Sequence, residues 1–272
     1  MIFLLCLLLL LVAVAFYTLL ERKVLAYIML RRGPNKPSFS GLLVPFADAV
    51  KLLTKPFIFP SSSRYSLIVF SCLLSFLIPS VLWTQASLYS RLSFFQFSIF
   101  VLLVWISLSI YSLLAAGLGS NSKYSTLGGL RSIAQCISYE VRLSFLFLNF
   151  SLLFGFNFFR AHLPSVFLCL LHLSAIAFVI LLAETNRSPF DFAEGESELV
   201  SGYNVDFSGS GFVVLFLSEY LSILFIRALI RAITFTGSYF CTLLGSVFFA
   251  FLFLWVRGSL PRFRYDQLIL LS

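Results

Sequence analysis

The chain has 272 residues, of which 60% are hydrophobic and 11% charged, with a mean hydropathy of +1.00 and a formal net charge of +8. Soluble domains carry about 25% charged residues, so 19 basic and 11 acidic residues are too few to clothe a soluble globule of this size. The composition excludes a disordered chain as well, and what remains is an all-α, polytopic transmembrane helix bundle in a single integral membrane domain spanning 1–272. No basic stretch is interleaved with aromatics in a polar context, which argues against nucleic acid as a partner.

A helix needs about 20 apolar residues to cross a bilayer. Seven runs meet that length, at 2–20, 66–84, 94–116, 134–156, 163–183, 211–235 and 239–256. The first resembles a signal peptide, with Ala13-Val14-Ala15 in the place of a cleavage site. It lacks a basic leader and runs uncharged to Leu20, so a retained first helix is expected. The fourth run is the weakest, because Glu140 and Arg142 lie near its start. No internal repeat is visible, which speaks against an inverted-repeat transporter.

The basic residues sort by loop. Fourteen lie in the first, third and fifth loops and the C-terminal tail, and two, Arg91 and Arg160, lie in the even-numbered loops. This asymmetry places the N-terminus outside and the odd loops and tail on the cytoplasmic or matrix side. The first of these loops, 21–65, contains Leu42, Phe46, Val50 and Leu53 at helical spacing, with Asp48, Lys51 and Lys55 on the other side. The pattern fits an amphipathic helix lying at the membrane interface, or an ordinary amphipathic connector.

The acids are less evenly spread. Six of the eleven, Glu184, Asp191, Glu194, Glu196, Glu198 and Asp206, crowd the fifth loop (184–210), where Arg187 is the single cation. A solvated polar loop is the plain explanation of such a run. Against it stand the apolar residues Pro189, Phe190, Phe192, Leu199, Val200 and Tyr203 and the adjacent membrane span. Carboxylates crowded beside an apolar phase hold and release protons as a cluster, which is what a proton relay needs. Glu140 and Glu219 sit in or at spans, each beside a tyrosine (Tyr139 and Tyr220), and serve either a proton route or a structural ion pair. Glu21, Arg22 and Lys23 close the first span, and Arg227 and Arg231 lie four residues apart deep in the sixth. Five cysteines show no C-x-x-C pair, and His162 and His172 lack partners at ligand spacing, so no metal or iron–sulfur site is expected on this chain.

The segment A-E-T-N-R-S-P-F-D-F-A-E-G-E-S-E-L-V-S-G-Y-N-V-D at 183–206 closely resembles the signature loop of the subunit 1 family of respiratory complex I, the proton-pumping NADH:ubiquinone oxidoreductase. E-R-K-V-L-A-Y at 21–27, R-R-G-P-N at 31–35, A-D-A-V-K-L at 47–52, S-N-S-K-Y at 120–124, Q-C-I-S-Y-E-V at 135–141, S-E-Y at 218–220 and P-R-F-R-Y-D-Q-L at 261–268 resemble further family segments in the same order.

The resemblance implies a subunit that binds no cofactor itself and has ubiquinone as substrate, with FMN and iron–sulfur clusters in partner subunits. Its expected partners are the other membrane-arm subunits, the membrane lipid and the quinone-site peripheral-arm subunits, one of which carries the terminal cluster. Glu184, Asp191, Glu194, Glu196 and Glu198 would be the loop carboxylates, countered by Arg187, and Glu140 and Glu219 would carry protons inward. Glu21, Arg22, Arg31, Asp48 and Tyr220 would line the quinone chamber with Arg187, and Arg262 and Arg264 would meet a neighbouring subunit. The membrane would be the mitochondrial inner membrane, with a bacterial plasma membrane as the alternative.

Some positions depart from the family. Pro56 stands where the family has an acid, Arg142, Arg227 and Arg231 have no family counterpart, and a further span would follow 261–268, supplied by another chain or lost. The competing functions are the membrane anchor of a related proton-translocating hydrogenase, an independent channel or transporter, and a passive scaffold.

Overall fold

A computed structural model describes residues 2–37, 39–58, 60–61, 63–89, 98–154, 167–191, 202–234, 239–263 and 267. Among the described residues seven long helices and one short one follow in chain order: α1 (Ile2–Ile28), α2 (Val44–Leu53), α3 (Tyr65–Tyr89), α4 (Ser98–Ser120), α5 (Lys123–Phe154), α6 (Phe167–Glu184), α7 (Gly209–Thr234) and α8 (Tyr239–Ser259). Single 3-10 turns lie at Phe39–Gly41 and Gly202–Asn204, and no strand occurs among the described residues.

Each of the seven apolar runs lies largely within a long helix. Among the described residues four segments are long and apolar enough to cross a membrane by length and composition: Leu5–Ile28, Tyr65–Thr84, Phe100–Ser120 and Gly209–Arg231. Two helices depart from the hydropathy pattern at their ends. α1 continues through Glu21-Arg22-Lys23 to Ile28, so Glu21 lies inside the helix rather than at its end. α5 begins at Lys123 and takes in most of the third loop. Its 32 residues reach about 48 Å at 1.5 Å per residue, beyond the ~30 Å of hydrocarbon that a span must cover.

α2 forms where the apolar residues at helical spacing predict it, with Pro45 in its first turn and Lys51 in its last. Val44 is buried, whereas Phe46, Val50 and Leu53 remain exposed on the surface of the chain. That exposed apolar edge is what an interfacial helix presents to lipid.

The odd loops and the tail meet at one end of the bundle, here called the basic end. The Arg64 N–H donates to the Gly119 carbonyl at 2.8 Å, joining the first loop to the third. The Ile58 N–H donates to Ser208 Oγ at 2.8 Å, joining the first to the fifth. The Ser122 hydroxyl donates to Asp206 at 2.6 Å, joining the third to the fifth. The Phe263 N–H donates to the Pro189 carbonyl at 3.1 Å, joining the tail to the fifth. Segments grouped by their basic residues are therefore also neighbours in space.

The largest core cluster among the described residues contains Ile78, Leu102, Leu143, Phe147, Phe150, Leu181, Ile230 and Phe249, drawn from α3 to α8. A second joins Val14 and Tyr17 of α1 to Tyr220 and Leu221 of α7 and Leu254 of α8. α7 is central: 61% of its apolar stretch is buried, against 22% for α1. Trp83 Nε1 ties α3 to it by donating to the Leu221 carbonyl at 3.1 Å.

One close approach fixes the fifth loop. A Cβ built on Gly128 of α5 would lie 2.9 Å from Gly202 Cα, so the contact requires a glycine at 128. It seats Tyr203, 2% exposed, whose carbonyl accepts from the Ser125 hydroxyl. Gly128→Ala is expected to destabilise this junction by about 1–3 kcal/mol, the usual cost of overpacking. Thermal inactivation of the assembled complex measures it, and an unchanged midpoint would contradict the contact.

Candidate functional site

Three groups of polar side chains sit at the basic end, each joining different segments. Glu219, on the third turn of α7, is the centre of the first. Arg187 Nη2 of the fifth loop donates to its Oε2 at 3.0 Å, with the two side chains only 11% and 22% exposed. The Tyr203 hydroxyl donates to the other oxygen, Oε1. The Arg187 guanidinium also lies over the Tyr220 ring at 4.9 Å and the Phe216 ring at 5.4 Å. Two aromatic faces and one carboxylate thus hold this cation in a partly desolvated place.

The second group surrounds Glu21, which is 5% exposed. The Tyr220 hydroxyl donates to Glu21 Oε2 at 2.7 Å, and Arg257 of α8 forms an ion pair with Oε1. Both oxygens of a buried carboxylate are satisfied by residues of two other helices. At the next residue of α1, Arg22 pairs with Asp48 at 2.6 Å and fastens α2 to α1, but this pair is about half exposed.

The third group borders a cavity of about 120 Å³ between α3, α4, α5 and α7. Glu184 and Glu219 both reach its wall, together with Cys136, Asn186, Ser109 and Ser218. Glu184 Oε2 is buried without a hydrogen-bond partner among the described residues. The Cys136 thiol lies 3.4 Å from the Asn186 amide nitrogen on the same wall. Pro79 of α3 also lines the cavity, and its missing N–H deprives the Ser75 carbonyl of its helical donor. A polar-walled space of this size with orphaned oxygens suits water.

Beside these groups, Arg262 of the tail donates to Asp191 Oδ2 at 3.0 Å, and the Phe263 ring stacks on Phe190 with centroids 5.5 Å apart. Gln135 of α5 fixes the start of the loop by donating to the Ala183 and Phe190 carbonyls at 2.9 and 3.0 Å.

The structure brings together Glu21, Tyr220, Arg187 and Glu219, pairs Arg22 with Asp48 and Asp191 with Arg262, and sets Glu184 on the cavity. Arg187 pairs with the α7 acid Glu219. Glu140 is partly exposed on α5, and the guanidinium of Arg142 lies 4.8 Å over the Tyr139 ring. Arg31 is exposed beyond α1, and no side-chain contact joins it to the cluster among the described residues. Glu194, Glu196, Glu198 and Arg264 lie outside the described residues. Tyr203 and Arg257 are the residues that sequence reasoning passed over. Tyr203 reads as an apolar loop residue and Arg257 as one more basic residue of the tail, and only their tyrosine and arginine chemistry hinted at a partner.

Fold and site define a polytopic membrane subunit whose carboxylates are gathered at one end and clamped between helices and a loop. The family model described as NADH dehydrogenase matches residues 1–272. "NADH-ubiquinone oxidoreductase chain 1" of Anopheles gambiae is 48% identical over 96% of this chain and 85% of its own length. The proteins of the same name from Mytilus edulis and Papio hamadryas are 44% and 42% identical, each over 95% of this chain and over 87% and 86% of their own lengths. The chain belongs to this NADH dehydrogenase family, that of complex I subunit 1.

The two ion pairs on α1 differ in burial, which predicts different consequences. Arg257→Met leaves the Glu21 carboxylate buried and short of a partner and is expected to cost on the order of 3 kcal/mol. Arg22→Met breaks an exposed pair and is expected to cost less than about 1 kcal/mol. Thermal inactivation of the two assembled variants checks the order, and equal losses would contradict it.

Proposed function

We propose that this chain forms the membrane side of the ubiquinone chamber of NADH:ubiquinone oxidoreductase and couples quinone reduction to proton translocation. The observation that carries the proposal is the clamp on Glu219. An acid in a membrane helix is held by Arg187 and Tyr203, both from the fifth loop, and lines the same cavity as Glu184. A change in charge or position at the loop therefore acts directly on an acid at the membrane's edge.

The parts divide as follows. Glu21, Arg22, Asp48, Arg187 and Tyr220, with Arg31 beyond α1, face the chamber. The exposed apolar edge of α2 offers a lipid-soluble quinone an approach from the bilayer. Glu219, Glu184 and Glu140 carry the protonation change from the loop toward the membrane, joined on the loop side by Asp191, Glu194, Glu196 and Glu198. Arg262 and Arg264 face a neighbouring subunit. The flavin and iron–sulfur groups belong to the partners, and reduction of the quinone draws its electrons from them. The relatives' shared name supports ubiquinone chemistry over the anchor of a hydrogenase, and their animal sources support the mitochondrial inner membrane.

Replacing Glu219 by Gln keeps its shape and removes its proton exchange. In the complex reconstituted into sealed vesicles, Glu219→Gln and Glu184→Gln are expected to lower the protons translocated per NADH oxidised while the complex still assembles. Proton yield and turnover equal to those of the unaltered complex in both variants would overturn the proposal.

A further inference from the structure

Three helices meet around Tyr17: α1, which carries it, α7 and α8. At the basic end this contact is polar, with Glu21, Tyr220 and Arg257 joined as described. One turn further from the basic end, α1 contributes Tyr17 and α8 contributes Phe253. The Tyr17 and Tyr220 rings meet edge to face at 6.0 Å, so the aromatic groups continue the polar cluster outward. Arg227 then closes the series. Its Cα lies seven residues beyond Tyr220, about 10 Å further along α7, and its guanidinium lies 3.5 Å over the Tyr17 ring and 5.8 Å from the Phe253 ring.

Arg227 is 4% exposed, and its Nε and Nη2 atoms find no hydrogen-bond partner among the described residues. Arg231, on the next turn, has a buried Nε in the same condition. Around them the contact is apolar, with Val14, Leu221 and Leu254 almost wholly buried. Among the described residues this cation has no counter-charge and is compensated chiefly by the π face below it. It is not needed to neutralise Glu21, which Arg257 already pairs. Its positive field therefore lies across the α1, α7 and α8 contact, between the polar cluster and the opposite end of these helices.

We propose that Arg227 is an electrostatic barrier to protons, which keeps those taken up around Glu21 and Tyr220 from leaking along the α1, α7 and α8 contact. A fixed cation in a narrow, poorly solvated passage repels hydronium as it does other cations. A membrane subunit of an energy-coupling complex needs such a seal wherever a polar cluster penetrates the bilayer. The proposal rests on the chain's family and on this geometry, and it stands apart from the route through Glu184 and Glu219. That route is read in the protons moved per NADH oxidised, whereas the barrier is read in passive proton backflow with turnover stopped.

The test uses the assembled complex in sealed vesicles. Arg227→Gln keeps a polar side chain that supports water but removes the charge. Phe253→Glu leaves Arg227 in place and supplies the missing counter-charge. In each, passive proton conductance is expected to rise by about tenfold, a factor that a modest loss of barrier produces, with NADH-to-quinone turnover retained. Arg227→Lys keeps the charge and is expected to stay tight. Vesicles of either charge-cancelling variant as tight as the unaltered complex would overturn the proposal. So would a leak through Arg227→Lys above that of the unaltered complex, a comparison that stands even where neither charge-cancelling variant assembles.

Discussion

A carboxylate at the edge of the hydrocarbon must be desolvated, and it stays ionised there only if other groups replace the lost water. The arrangement of this protein follows from meeting that requirement at Glu21 and Glu219. Glu21 lies on α1 and takes its partners from α7 and α8. Glu219 lies on α7 and takes its partners from the fifth loop. The adjacent residue Tyr220 links the two sites, donating its hydroxyl to Glu21 while its ring lies beneath Arg187. Moving any one of these segments disturbs the charge balance of the others.

The rest of the fold serves this linkage. The paired glycines at 128 and 202 bring the loop close enough to α5 for Tyr203 to be buried. Gln135 and Arg262 hold the two sides of the loop's first turn through Ala183, Phe190 and Asp191. The cavity behind Glu219 and Glu184 leaves room for water where close packing would isolate the acids from one another. Rigid attachment on the loop side and space on the membrane side are what a coupling element needs. In the proposed role the first would transmit a change, and the second would let protons respond to it.

The sequence displays much of this and hides a definite part. Apolar runs show the spans because crossing a bilayer demands length and hydrophobicity. The bias of basic residues shows which loops share an end, and the hydrogen bonds among Arg64, Gly119, Ser122, Asp206 and Ser208 bear out that they are neighbours. The true reach of α1 and α5 was not legible, since charged residues interrupt a hydropathy pattern without interrupting a helix. Clustering revealed the acids of the fifth loop, but the partners of Glu21 and Glu219 were hidden. Tyr220 lies 199 positions from Glu21, and only the packing of α1 against α7 brings them together. Arg227 was visible as an unusual charge, whereas its place over Tyr17 required the three-helix contact.

The central claim is that the protonation of Glu219 answers to the state of the quinone. Redox-difference infrared spectroscopy of the assembled complex tests it most directly, by following carboxyl bands as the quinone pool is reduced. The account predicts a carboxyl band that changes on reduction, is lost in Glu219→Gln and is altered in Tyr203→Phe. A difference spectrum that is the same with and without the Glu219 carboxyl would contradict it.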